Sequence, residues 1–249
     1  MLRKMNFFSD QEGIMTRYLR EKTNWDSHVQ HTKNFMINAL QDEEIQNVAI
    51  LGSGWLLDLP LAYLAERFEQ ILLLDIHHPP QIKNSTQKYP NILFQEIDLT
   101  GGGIEHAWNM RKAKTDSLEN LLNDFEPVIP DLAIDVDAFI SVNILNQLDI
   151  LLVDYLKDIN SALTEDHFHT FRKKIQQFHV GWISSKPGCL ISDIVEMNFR
   201  DGEMTESYDL QHVNLPGSFR SESWIWDFDL SGFYHRDRQT KMKVKAIEW

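Results

Sequence analysis

The chain has 249 residues, 43% of them hydrophobic, enough for one domain around a packed core. Acids outnumber bases 37 to 24, a formal charge of −13 with no basic run to offset it, so a nucleic-acid partner is not expected. Cys189 is the one cysteine, which excludes an intrachain disulfide and a two-cysteine metal cluster; no apolar segment reaches the roughly 18 residues of a membrane span, so a cytoplasmic protein with neither metal nor membrane partner is expected.

Ser9 and Glu12, followed by Ile14, Tyr18 and Leu19 at helical spacing, predict a capped amphipathic helix. A second helix is expected from about Asp26, with Val29, Met36 and Leu40 on one face. Both lie in an N-terminal extension, residues 1–46, ahead of a Rossmann-like core over 47–249, the whole forming a single domain. Within the core, short apolar runs alternate with longer helical stretches, the pattern of a parallel sheet with crossover helices. The expected strands are 48–51, 71–75, 92–97, 138–142 and 190–196. A helix over about 58–68 carries Leu61, Leu64, Ala65 and Phe68 on its inner face, with Pro60 in its first turn. Residues 101–137 lengthen one crossover and include a helix through Leu118, Leu121, Leu122 and Phe125. Two last β-type runs, 224–228 and 244–249, read as a hairpin at the sheet's edge. The fold class is thus α/β: a seven-stranded, mostly parallel sheet with helices on both faces and an antiparallel C-terminal hairpin.

The chemistry-bearing constellation begins where Val48 to Leu51 runs into Gly52-Ser53-Gly54. Glycine suits a sharp turn at which a ligand approaches the backbone, although an ordinary strand-to-helix turn uses the same residues. Asp75 ends the next strand 23 positions after Gly52, the spacing at which a neighbouring carboxylate meets two ribose hydroxyls. The third strand closes on Glu96-Ile97-Asp98-Leu99, placing an acid where an exocyclic amine can donate to it.

From about Asn47 to Trp249 the chain resembles the class I S-adenosylmethionine-dependent methyltransferases, a seven-stranded superfamily. The resemblance implies S-adenosylmethionine as cofactor, with its methionine part at Gly52 and Gly54, its ribose at Asp75 and its adenine at Asp98. It also implies that Asn143, at the end of the fourth strand, closes over the cofactor. Ser53, the backbone of Ile76 and of Leu99, and Trp55 as a wall complete the expected cofactor set; core packing suits Trp55 equally. The superfamily usually has an acid two positions before the first glycine, where this chain has Ile50.

An NAD-dependent oxidoreductase is the less favoured reading. Leu57 stands where a dinucleotide fold has its third glycine, and Asp58 places a negative charge where a pyrophosphate would lie. Asp58 itself reads as the cap of the following helix rather than a ligand contact. Ile50 leaves room for a non-catalytic nucleoside-binding protein of the same fold. The Asn-Pro-Pro-aromatic tetrad of amino-group DNA methyltransferases is absent, so the expected acceptor is a small molecule.

Trp25, His28, His31 and Gln147 are the candidate substrate-pocket residues. His28 and His31, three apart on the second helix, share a face that is either solvated or turned inward. The N-terminal helices, with residues 101–130, are expected to form a substrate lid; covering a sheet face or mediating an oligomer contact is the competing role. Trp224, Trp226 and Trp249 read as sheet packing, and no catalytic group is evident.

Overall fold

In the computed structural model, which describes residues 1–112, 118–160 and 163–249, the apolar runs form β1 (Asn47–Leu51), β2 (Gln70–Asp75), β3 (Ile92–Glu96), β4 (Ala138–Val142) and β5 (Gly188–Arg200). Three further strands follow: β6 (Glu203–Asp209), β7 (Arg220–Asp229) and β8 (Gln239–Glu248). The sheet runs β3-β2-β1-β4-β5-β8-β7, with β6 beside β5. Adjacent pairs among β1 to β5 are parallel, whereas β8 is antiparallel to both β5 and β7.

Alternation along the strands divides the core into two layers. Ala49, Leu51, Leu72 and Leu74 face α4 (Gly103–Met110), α6 (Ile150–Ile159) and α7 (Glu165–Ile183), meeting Ile104, Leu152 and Phe171. Val48, Ile50, Ile71 and Leu73 face α1 (Phe7–Asn38) and α2 (Leu61–Arg67), meeting Phe35, Met36 and Leu64. Helices on both faces of a sheet ordered 3-2-1-4-5 put the topological switch between β1 and β4, where ligands bind in open α/β sheets. Two short helices, α3 (Pro80–Ser85) and α5 (Leu118–Asn123), and a 3-10 turn over Leu2–Met5 complete the described elements.

Several expectations are corrected. The sheet has eight strands, not seven, because β6 pairs with β5. β6 is polar and exposed, without the alternation that marks a half-buried strand, but Asp201-Gly202 ahead of it, both at positive φ, is a hairpin dipeptide. The C-terminal hairpin is present, with β8 inside the sheet and β7 alone at the edge. The two expected N-terminal helices are one helix of 32 residues. Asp26 does not cap because Trp25, Phe35 and Met36 are all buried along that helix, and this packing outweighs local start signals. α2 begins at Leu61, with Pro60 as its N-cap, and Asp58 caps nothing. Phe125 lies beyond the end of α5.

Candidate functional site

At the C-terminal ends of β1 to β5 lies a cavity of about 390 Å³, within the usual range for small-molecule sites, roughly 300–1,000 Å³. Gly52 turns the chain with φ +82°; a Cβ there would stand 2.6 Å from the Val142 carbonyl oxygen, so only glycine lets β1 leave the sheet beside β4. The turn is braced by Asp75. Its Oδ2 accepts the Gly54 N–H at 2.8 Å and its Oδ1 accepts the Ile76 N–H at 2.8 Å. Burial pushes the Asp75 carboxyl up to about 6, opposed by the N–H groups of Gly54, Ile76 and His77. Ser53 is turned into the protein, its hydroxyl 2.9 Å from His78 Nε2. Burial pushes His78 down to about 4, so this partner is neutral near pH 7.

The other expected cofactor residues converge on the same cavity: Trp55, Ile76, Asp98, Leu99 and Asn143 all line it. Asp98 also orders its own loop, accepting the Thr100 N–H at 2.9 Å and the Ile104 N–H at 3.3 Å. Trp55 donates its indole N–H to the Gln11 carbonyl at 2.7 Å, and the Gln11 amide donates to the His77 carbonyl at 2.8 Å. These two bonds tie the first turns of α1 across the end of the cavity formed by Trp55 and Asp75. Asp58 is no helix cap; its Oδ2 lies 2.5 Å from the Asn143 amide nitrogen, and burial raises its pKa.

Of the expected substrate residues, Trp25, His28 and Gln147 line the cavity. His31 does not: it is exposed and stacks on Trp224 with ring centroids 5.3 Å apart. One helical step turns it out of the face that His28 occupies. His28 is buried, stacked on Trp226 at 3.9 Å, with Nδ1 3.1 Å from the Trp224 indole nitrogen and Nε2 3.2 Å from the Asn143 amide. Burial pushes it down to about 3, so it is neutral. Gln147 donates to the Asn143 carbonyl at 2.8 Å. Within the 101–130 segment, Ile104 is the cavity-lining residue among those described.

Sequence reasoning missed the far half of the cavity, where Arg17, Asn146, Asp193, Glu196, Phe228 and Tyr234 meet Trp25 and Trp226. Asp193 and Glu196 share a face because β5 bulges between Asp193 and Val195; without the extra residue they would point to opposite sides. Two acids inside an otherwise apolar strand were the available signal. Burial pushes Asp193 up to about 6, eased by the Asn146 hydrogen bond and reinforced by the charge of Glu196. Glu196 is already engaged, 2.7 Å from His235 Nε2.

The arrangement is a sheet ordered 3-2-1-4-5 that ends in antiparallel strands, with a cavity at its switch point. No known family model matches the chain, and no curated protein matches it in sequence. Among solved structures, it is similar to a Burkholderia thailandensis 1,6-didemethyltoxoflavin-N1-methyltransferase with 1,6-didemethyltoxoflavin and S-adenosylhomocysteine bound, at 9% identity, covering 99% of this chain and 87% of that one, TM-score 0.45. A DhpI-SAM-HEP complex is similar at 9% identity over 96% of this chain and 94% of that one, TM-score 0.39. The 23S rRNA methyltransferase ErmE is similar at 11% identity over 90% and 68%, TM-score 0.34. The cavity, rather than these distant likenesses, carries the functional reading. Among the described residues no helix is long and apolar enough to cross a membrane.

Proposed function

We propose that the protein is an S-adenosylmethionine-dependent methyltransferase acting on a small molecule. The observation that carries this is the shared cavity of the Gly52–Gly54 turn and the Asp75 carboxylate, joined by the Gly54 N–H bond at the switch point of the sheet. Of the roughly four acceptor sites on the Asp75 carboxylate the N–H groups of Gly54, Ile76 and His77 take three, which leaves one for a ribose hydroxyl. Asp98 and the Leu99 backbone lie at the end assigned to adenine, and Asn143 and Asp58 at the end assigned to methionine.

When bound, the cofactor supplies an electrophilic sulfonium methyl. The chain's own task is to orient an acceptor and exclude water, and orientation alone can lower a barrier by about 7–11 kcal/mol. In this reading α1 is the roof over the reacting centre, with Gln11 and Trp25 at its two contact points. Neutral His28 and the Asn143 amide set the hydrogen-bonding polarity between the cofactor half and the far half.

A nicotinamide enzyme is disfavoured by one feature. α2 begins seven residues after Gly54, with Asp58 between, so no helix N-terminus abuts the glycine turn to receive a pyrophosphate. A nucleoside-binding protein without turnover remains the second reading, since Ile50 is buried in the layer that packs on α1 and α2 and offers no carboxylate. Titration calorimetry with S-adenosylhomocysteine, S-adenosylmethionine and NAD tests the first step. Heat with the two nucleosides supports the proposal; binding of NAD alone overturns it.

A further inference from the structure

Resting on the methyltransferase reading, we propose that the far half of the cavity is the acceptor site for an arylalkyl primary amine, with Asp193 and Asn146 receiving its N–H groups against the walls of Trp25, Trp226 and Phe228. Three independent observations lead there. The first is a pair of vacant acceptors. Asp193 and Asn146 are 4% and 6% exposed, both line the cavity, and Asn146 donates to Asp193 Oδ2 at 2.7 Å. That bond leaves Asp193 Oδ1 and Asn146 Oδ1 buried with no partner. Buried polar atoms are ordinarily satisfied, so two adjacent orphan acceptors call for a ligand that brings donors. An alcohol brings one hydrogen, a carboxylate none, and an ammonium three.

The second is charge. Asp10, Asp154, Asp193 and Glu196 line the cavity against Arg17 as the lining cation. Arg17 is held over the rings of Phe228 and Tyr234, at 4.6 and 4.8 Å, and so is committed to those two aromatics. The excess of acid in a half-enclosed space favours a positive guest and opposes an anionic one.

The third is shape. Trp25 meets Trp226 edge-on at 4.7 Å and stacks on Phe228 at 5.8 Å, while Trp226 meets Phe228 edge-on at 4.8 Å. Three rings in mutual contact make one continuous aromatic wall against which a flat apolar body can lie with its polar end toward β5. The buried Trp226 indole N–H has no partner and offers one donor to such a body.

The site also places a base. An ammonium delivered to Asp193 can lose one proton to Oδ1, leaving a neutral amine whose lone pair attacks the methyl carbon. The carbon–sulfur bond breaks as the carbon–nitrogen bond forms, and sulfur keeps the electron pair.

The test uses three probes on one skeleton: phenethylamine, 2-phenylethanol and phenylacetate, titrated into the full chain with and without saturating S-adenosylhomocysteine. The amine is expected to bind the nucleoside-loaded protein at least about tenfold more tightly than either competitor, a difference of about 1.4 kcal/mol. Asp193→Asn is expected to erase that preference while leaving nucleoside affinity unchanged. Equal affinities, no detectable amine binding, displacement of the amine by the nucleoside, or full amine affinity in Asp193→Asn would each overturn the proposal. Should Asp193→Asn not fold, the comparison of the three probes on the unaltered chain still decides it. If the nucleoside does not bind, the methyltransferase reading fails separately, and the amine preference of the free protein is read from the same titrations.

Discussion

Gly54 donates its backbone N–H to Asp75 Oδ2 at 2.8 Å, so one carboxylate both shapes the glycine turn and faces the cavity that the turn opens. Replacing Asp75 by alanine therefore removes a charged hydrogen-bond partner, at a cost of about 1.5–3 kcal/mol in nucleoside binding, or roughly 10- to 100-fold in Kd. Calorimetry with S-adenosylhomocysteine measures it, and an unchanged Kd would place the ribose elsewhere. Because burial holds the free carboxyl near 6, a ligand that requires its ionised form must displace a proton below that pH. Affinity is expected to be flat above about pH 7 and to fall toward tenfold per unit below about 6.

Gly52→Ala is expected to be severely destabilising. The new Cβ meets backbone and Ile144 at 2.6–2.7 Å, with φ at +82°, so no side chain can simply swing away. A thermal unfolding midpoint equal to wild type would show that the turn can shift.

His28 is expected to be a neutral Nε2–H tautomer from neutral pH down to about pH 4. The Trp224 indole nitrogen is donor only, so His28 Nδ1 must be the acceptor at 3.1 Å, and the ring proton is left on Nε2. Nε2 then faces Asn143 and needs an acceptor; the carboxamide oxygen can take that place only with Asp58 protonated and donating to the same oxygen, the direction in which burial moves Asp58. Long-range nitrogen-15 correlation spectra of the imidazole distinguish the tautomers; an Nδ1–H pattern would contradict this network.

His179 makes stability depend on pH. It is fully buried, its Nε2 is 2.8 Å from the Ser141 hydroxyl, and burial pushes it down to about 4. Between that value and about 6.5 the unfolded chain binds a proton that the folded chain refuses, so its contribution is intact above about 6.5 and is lost on acidification. At pH 5 this costs about 2 kcal/mol relative to pH 7.5. His179→Gln lacks that slope, so its stability deficit by urea unfolding should shrink by about the same amount at pH 5.

Much of the glycine-turn end of the cavity was legible because its signals are local. Gly52, Gly54 and Asp75 announce themselves through residue type, strand position and spacing, and the cavity gathers them. The far end was not, because it depends on contacts between distant segments. Asp193 and Glu196 share a face through a bulge that strand patterning does not reveal, and Arg17 reaches Phe228 across more than two hundred positions of chain. His28 and His31 looked equivalent by spacing, yet the face that α1 turns toward β7 includes the first and leaves the second exposed. The strand β6 was missed because its stabilisation is a hairpin ladder, not an apolar face.

At about 48 Å, α1 is a rod bonded near its start to the Trp55 and His77 region through Gln11 and pinned near its middle to β7 by the Trp25 indole N–H, 2.8 Å from the Phe228 carbonyl. A helix so bonded does not swing as a plate without breaking these contacts, so if ligands enter beneath it, bending near one point is the expected way. Gly13 is the glycine of this helix, it lies between Gln11 and the cavity-lining Ile14, and a Cβ there would touch nothing within 4 Å. No packing demand accounts for it, although glycine in a helix interior is worse than alanine by about 1 kcal/mol. Gly13→Ala should therefore raise the unfolding midpoint and, by stiffening that point, slow nucleoside dissociation in stopped-flow exchange; a stabilised protein with an unaltered off-rate would show that ligands pass by another route.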